Sequence, residues 1–228
     1  MKGKDSFMIT ITNLSKNYGK NKVLQDVNIN IPENKISFLM GENGAGKTTF
    51  IKCLVQLENY KGQILFDEKE FQDVRDEVLA IYDDAPLYTN LSGIENLDLM
   101  NFRKLKKKEC YNIALKYLSG DILKRKVSTY SYGQRKKLFI ALVEICSPKY
   151  LIMDEISNGL DYESMKGLKK SLKEWSKNMT IILTGHQFDF YNNLIDELYI
   201  VKDSQITYFE NLDLNKENLG DIYDENII

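Results

Sequence analysis

Two stretches of this sequence combine residue types that do chemistry. One is Gly41-Glu42-Asn43-Gly44-Ala45-Gly46-Lys47-Thr48-Thr49; the other is Leu151-Ile152-Met153-Asp154-Glu155. In the first, glycines let backbone N–H groups turn inward, and a following helix start adds positive potential, which suits phosphate. Lys47 supplies a point charge for β- and γ-phosphates, and Thr48 a hydroxyl for Mg²⁺. In the second, an apolar run delivers two carboxylates. Asp154 suits an outer ligand of Mg²⁺, and Glu155, one residue on, can polarise a water against a γ-phosphate. The bland alternatives are a glycine turn entering a helix and an acidic exit from a strand. Flanking pattern and mutual pairing favour phosphate chemistry over both.

The elements around them fit that task. Ile36-Ser37-Phe38-Leu39-Met40 reads as a buried parallel strand before the loop, and Phe50, Ile51, Leu54 and Val55 as one face of a helix after it. Met8 to Thr12 and the alternating Val23 to Ile31 predict antiparallel strands near the N-terminus, with further strands at Gln63 to Phe66 and Val78 to Tyr82. From Ser92 the pattern turns helical. Ser92 with Glu95 forms a capping box, and Tyr111, Ala114, Leu115 and Leu118 mark a second helix that Gly120 ends. Gly133 opens another helix, with Leu138, Ala141, Leu142 and Ile145 on one stripe. Tyr162 to Trp175 is amphipathic helix, Met179 to Leu183 a buried strand, and Lys202-Asp203-Ser204 the turn of a C-terminal hairpin. The last eight residues are expected to fray. The fold class is α/β: a P-loop core with a mostly parallel sheet, an N-terminal antiparallel β subdomain and a helical insert.

Two further sites lie on this frame. His186, the single histidine, follows Ile181-Ile182-Leu183 at a strand end, beside the other strand-end residues. A lone histidine is commonly structural; its placement favours a role at the γ-phosphate. Thr129-Tyr130-Ser131-Tyr132-Gly133-Gln134-Arg135 offers a hydroxyl and backbone N–H groups at a second helix start. One nucleotide need not touch both helix starts within one chain, which points to a site shared between two chains.

Composition bounds the rest. At 228 residues, 43% hydrophobic and 28% charged, the chain suits one well-packed domain. Lys and Arg total 31 against 33 acidic residues, so net charge gives no case for nucleic acid. The clusters Lys104 to Lys108 and Lys124-Arg125-Lys126 read first as solvated faces, and second as contacts for anionic headgroups or an acidic partner. Cys53, Cys110 and Cys146 are scattered within apolar patterns without ligand spacing, as buried free thiols would be. The N-terminus lacks a signal-peptide pattern, and no apolar run approaches a membrane span, so a cytoplasmic protein is expected.

In this order the motifs resemble the nucleotide-binding subunit of an ATP-binding-cassette (ABC) transporter over nearly the whole chain. Gly41 to Thr48 is similar to the Walker A motif, and Leu151 to Glu155 to Walker B with its catalytic glutamate. Tyr130-Ser131-Tyr132-Gly133-Gln134 stands where the family has its Leu-Ser-Gly-Gly-Gln signature. Ser157 to Asp161 resembles the D-loop, His186 the switch histidine, and Tyr18 the aromatic that stacks on adenine. Asp84 takes the place of the Q-loop glutamine, and the compact chain weakly resembles export-type subunits serving drug or bacteriocin resistance.

The resemblance implies an ATPase binding ATP and Mg²⁺, peripheral on the inner face of the cell membrane and serving separate transmembrane permease subunits. It implies one domain, 1–228, with core segments about 1–90 and 149–228 and a helical subdomain about 91–148. It assigns catalysis to Glu155, His186 and Lys47, and metal contacts to Thr48, Asp154 and Asp84. Nucleotide contacts fall to Tyr18, Gly41, Asn43, Gly44, Ala45, Gly46, Lys47, Thr48, Thr49, Ser131, Gly133 and Gln134, with Ser131 and Gly133 supplied by a second subunit, identical or not. Tyr132 at a glycine position predicts slower ATP-driven dimerisation, unless its side chain points outward. The rivals are an ABC-type ATPase working on DNA or the ribosome, a weakly hydrolysing nucleotide-binding regulator, and a P-loop GTPase or kinase. For the last, Asn215-Lys216-Glu217-Asn218 fails as a guanine-reading motif.

Overall fold

The computed structural model describes residues 7–82, 87–210, 212–213 and 217–227. The strands are β1 (Phe7–Tyr18), β2 (Asn21–Pro32), β3 (Ile36–Met40), β4 (Lys61–Phe66), β5 (Val78–Ile81), β6 (Tyr150–Met153), β7 (Thr180–Thr184), β8 (Glu197–Lys202) and β9 (Gln205–Tyr208). The helices are α1 (Lys47–Leu54), α2 (Phe71–Val74), α3 (Gly93–Leu99), α4 (Lys107–Ala114), α5 (Gly120–Lys124), α6 (Tyr132–Cys146), α7 (Tyr162–Trp175), α8 (Phe188–Tyr191) and α9 (Leu219–Asn226).

Two sheets divide the strands. The larger runs β5-β6-β7-β3-β8-β9, parallel throughout except for β9, and the smaller is antiparallel in the order β2-β1-β4. The loop strand β3 lies between β7 and β8, every residue of it buried. Its apolar run is continuous because both sheet faces are covered. Ile36, Phe38 and Met40 point into one core with α6 and α7, while Leu39 points into the other with β1, β2 and α1. β6 alternates likewise: Leu151 and Met153 face the first core, Tyr150 and Ile152 the second. The α/β class with a mostly parallel sheet is borne out.

The segment carrying α3, α4 and α5 begins and ends at one place, just before α6. Val127 N–H donates to the Leu91 carbonyl (2.9 Å), and Ser128 N–H to that of Thr89 (2.8 Å). The Ser92/Glu95 capping box forms as expected. Gly120 does not simply end a helix: Ser119 accepts from Ile122 N–H and caps α5, which starts at Gly120. α6 also departs from a single stripe, since Leu138 through Val143 are all buried. It is held between the large sheet and α4, so it has little wet face. The C-terminus is not frayed up to residue 227, because α9 buries Leu219 and Ile222 and Ile227 follows them into the core. The three cysteines are free and buried, and burial raises the Cys53 thiol to about 11. No helix among the described residues is long and apolar enough to cross a membrane.

Two glycines give opposite stability expectations. Gly62 has φ +101°, and a Cβ there would lie 2.4 Å from the Asn13 carbonyl oxygen on the neighbouring strand. Gly62→Ala is therefore expected to cost ~2 kcal/mol or more, lowering Tm by at least ~4 °C. Gly167 is exposed on α7, with nothing within 4 Å of a built Cβ. Gly167→Ala is expected to raise stability by ~0.5–1 kcal/mol. Thermal unfolding of the two variants against the parent checks both signs.

Candidate functional site

The loop after β3 is held tightly. A Cβ on Gly41 would lie 2.5 Å from the Val201 carbonyl oxygen, so the chain can pass β8 here only as glycine. Gly44 (φ +83°) and Gly46 (φ +113°) are left-handed, and Gly46 is the residue from which α1 starts. Ala45 N–H closes a turn onto the Glu42 carbonyl at 3.2 Å, with the exposed Asn43 and Gly44 at its tip. Lys47 curls back into the loop, its ammonium donating to the carbonyls of Gly41 (2.6 Å) and Glu42 (2.9 Å). It is 7% exposed, and burial lowers its pKa below 10.5 against the opposing pull of Glu155 and Asp154. The loop thus places a buried cation under its own backbone.

β6 brings the carboxylates to it. Asp154, 5% exposed, accepts from the Thr48 hydroxyl on one oxygen (2.9 Å) and from the Thr184 hydroxyl on the other. Two residues past the end of β6 comes Glu155, whose φ of +55° is rare for a residue with a side chain. Its amide donates to Thr184 at 3.3 Å. Its carboxylate accepts from the Asn158 amide at 3.2 Å and lies 3.4 Å from His186 Nε2. Lys47, Thr48, Asp154, Glu155 and His186 thus belong to one cluster, fed from three adjacent strand ends, as the sequence pattern predicts. Thr184 at its centre was not singled out by residue type. The available signal was a hydroxyl residue closing the apolar run Ile181-Ile182-Leu183 just before Gly185-His186.

Tyr18, the last residue of β1, is 45% exposed, and the Lys16 ammonium sits 4.6 Å from its ring centroid.

The second helix start lies on α6. Ser131 is its N-cap, in a reciprocal box with Gln134: Gln134 N–H donates to Ser131 Oγ (3.2 Å), and Ser131 N–H to Gln134 Oε1 (3.0 Å). Gly133 packs against the Gly159 carbonyl, 3.1 Å from a built Cβ. The Tyr132 ring covers Gly159 (φ +69°), where a Cβ would sit 2.1 Å from the ring. At 38% exposure, Tyr132 lies across the loop after β6 instead of pointing simply outward. Ser131 and Gln134 thus bond one another across the first turn of α6. Lys137 reaches from α6 to Asp161 (3.2 Å), the N-cap of α7. Asp84 lies outside the described residues.

The sequence profile of the ABC transporter family matches residues 24–158. Over 226 residues the chain is 34% identical to the lantibiotic transport ATP-binding protein SrtF of Streptococcus pyogenes, covering 97% of this chain and 98% of that protein. It is 31% identical over 229 residues to the bacitracin transport ATP-binding protein BcrA of Enterococcus faecalis, covering 93% of this chain and 72% of that one. Among solved structures, an ATP-binding subunit of an ABC transporter aligns with TM-score 0.81 at 24% identity, over 96% of this chain and 92% of that one, a likeness of fold. The chain belongs to the ABC transporter family, as an ATP-binding and ATP-hydrolysing subunit of a transporter.

Proposed function

We propose that this subunit powers export through separate permease chains by closing head to tail on a second nucleotide-binding subunit. The observation that carries the chemistry is the convergence on Asp154 of the Thr48 and Thr184 hydroxyls, with Glu155 and His186 paired beside them. In this reading Tyr18 stacks the adenine, while Lys47, Thr49 and the amides of Gly41 to Thr48 hold the phosphates. Thr48 and Asp154 supply hard oxygen donors that fit Mg²⁺. One carboxylate and one hydroxyl suit Mg²⁺, which usually keeps several waters and takes its remaining ligands from substrate phosphates. The ion, when bound, would neutralise charge on the β- and γ-phosphates. Glu155 accepts the proton of the attacking water or orients it, and His186 holds water and γ-phosphate in line. Ser131 and Gly133 of one subunit close on the γ-phosphate held by the other.

Residues 91–148 then form the unit that moves against the core of 1–90 and 149–228, and with Asp84 hands that motion to the permease. A peripheral position on the inner face of the cell membrane follows from that partnership. The names of SrtF and BcrA support antimicrobial peptides as the exported class. Two measurements test this. The purified chain should hydrolyse ATP with Mg²⁺ and stop in EDTA, and the tagged chain, extracted from membranes in detergent, should bring a multi-span protein with it. Copurifying nucleic acid without a membrane partner would favour the DNA- or ribosome-directed rival.

A further inference from the structure

α6 carries a lysine where a cation is costly. Lys136 is 1% exposed, and its ammonium donates to the backbone carbonyl of Glu155 at 3.3 Å. One turn earlier the Tyr132 ring lies over the same ammonium, centroid 5.2 Å away, while also covering Gly159. A buried ammonium is retained only where a good acceptor meets it, and an i, i+4 aromatic is well placed to help. One acceptor here, the Glu155 carbonyl, is unusual. Glu155 is left-handed at φ +55°, a conformation that costs a residue with a side chain ~1–2 kcal/mol and that fixes where its carbonyl points. Reverting to an ordinary φ would swing that carbonyl off the ammonium and the carboxylate away from His186 and Asn158.

We propose that Lys136, backed by the Tyr132 ring, is a positioning residue for hydrolysis: it holds the Glu155 main chain left-handed, so that the carboxylate stays aimed at the water site. Tyr132 then has a use at its glycine position, as the wall that confines the ammonium. The contact also joins the helix bearing Ser131 and Gly133 directly to Glu155. The proposal rests on Glu155 being the carboxylate that activates water.

Lys136→Met, Lys136→Arg, Tyr132→Phe, Tyr132→Leu and, as control, Glu155→Gln separate the possibilities. The readouts are steady-state Mg·ATP hydrolysis, equilibrium binding of a fluorescent ATP analogue, and Tm. Expected are a fall in kcat of tenfold or more for Lys136→Met with KM and analogue binding within twofold, and recovery to within about threefold in Lys136→Arg. Tyr132→Phe, which keeps the ring, should lose less than Tyr132→Leu, which should lose threefold or more in kcat alone; equal effects in the two would overturn the proposal should Lys136→Met fail to fold. Equal losses in the Met and Arg variants that follow Tm would mean packing alone and overturn the proposal. Wild-type kcat in Lys136→Met beside an inactive Glu155→Gln would overturn it while leaving the reading of Glu155 standing. Wild-type turnover in Glu155→Gln would overturn both.

Discussion

Glu155→Gln is expected to reduce ATP turnover by ~10²–10³-fold while nucleotide binding stays within about twofold, the range that loss of a positioned general base produces. The change is nearly isosteric. The Gln side chain keeps an oxygen to accept from Asn158 Nδ2, now 3.2 Å away, and presents an amide or an oxygen to His186, now at 3.4 Å. Neither the left-handed backbone nor its amide bond to Thr184 depends on the charge. What is lost is the proton acceptor. Lys47 also loses one of the two anions that oppose its desolvation, which lowers its pKa further, while its bonds to the Gly41 and Glu42 carbonyls are untouched. Binding by the loop should therefore persist, and the stalled protein should accumulate as a dimer in ATP, seen by size-exclusion chromatography with and without nucleotide. Wild-type turnover would remove Glu155 from the chemistry.

Much of the frame that presents Glu155 was legible in the chain because it follows from burial on two sides. Uninterrupted apolar runs such as Ile36 to Met40 and Tyr150 to Met153 have few alternatives to a covered parallel strand, and the two flank β7 in the larger sheet. The amphipathic α7 likewise begins and ends where its pattern does. Local rules were weaker where tertiary contacts decide. Gly120 looks like a helix stop by residue type, but Ser119 uses it to start a new turn. The polar C-terminal residues look loose, but Leu219, Ile222 and Ile227 find the first core. Spacing alone cannot report such a contact.

The candidate site divides in the same way. Glycines, lysine and carboxylates are readable because the chemistry restricts residue type and position together. Thr184 was not, since a threonine at a strand end has many uses, and only the fold brings its hydroxyl onto Asp154. Tyr132 invited a steric objection when read against the family pattern. In the structure its ring has a specific seat, on a left-handed Gly159 that no side chain could occupy beside it. Two departures from expected glycine geometry, at Tyr132 and at the left-handed Glu155, meet around one ammonium. Only the first shows in the sequence, and packing makes the two a single arrangement.

Asp154→Asn is expected to reverse the effect of Mg²⁺ on nucleotide affinity, and this sign is sharper than the accompanying loss of turnover. Thr48 and Thr184 both donate hydroxyls to Asp154, which is 5% exposed. An asparagine can accept from one of them, and the other hydroxyl can turn to accept from the new amide, so the fold should hold, with Tm lower by only a few degrees. The charge is what disappears. A dication held one shell away from a buried carboxylate gains, after screening by the site, ~2–3 kcal/mol from it. The Mg²⁺ concentration that gives half-maximal turnover should therefore rise by ~30–150-fold, at the usual ~1.4 kcal/mol per tenfold. Without metal the same carboxylate repels the polyphosphate. ATP binding measured in EDTA should thus stay equal or become tighter in Asp154→Asn, while binding in Mg²⁺ weakens. If both conditions weaken together, Asp154 acts mainly by holding Thr48 and the loop in shape, and its assignment to the metal falls.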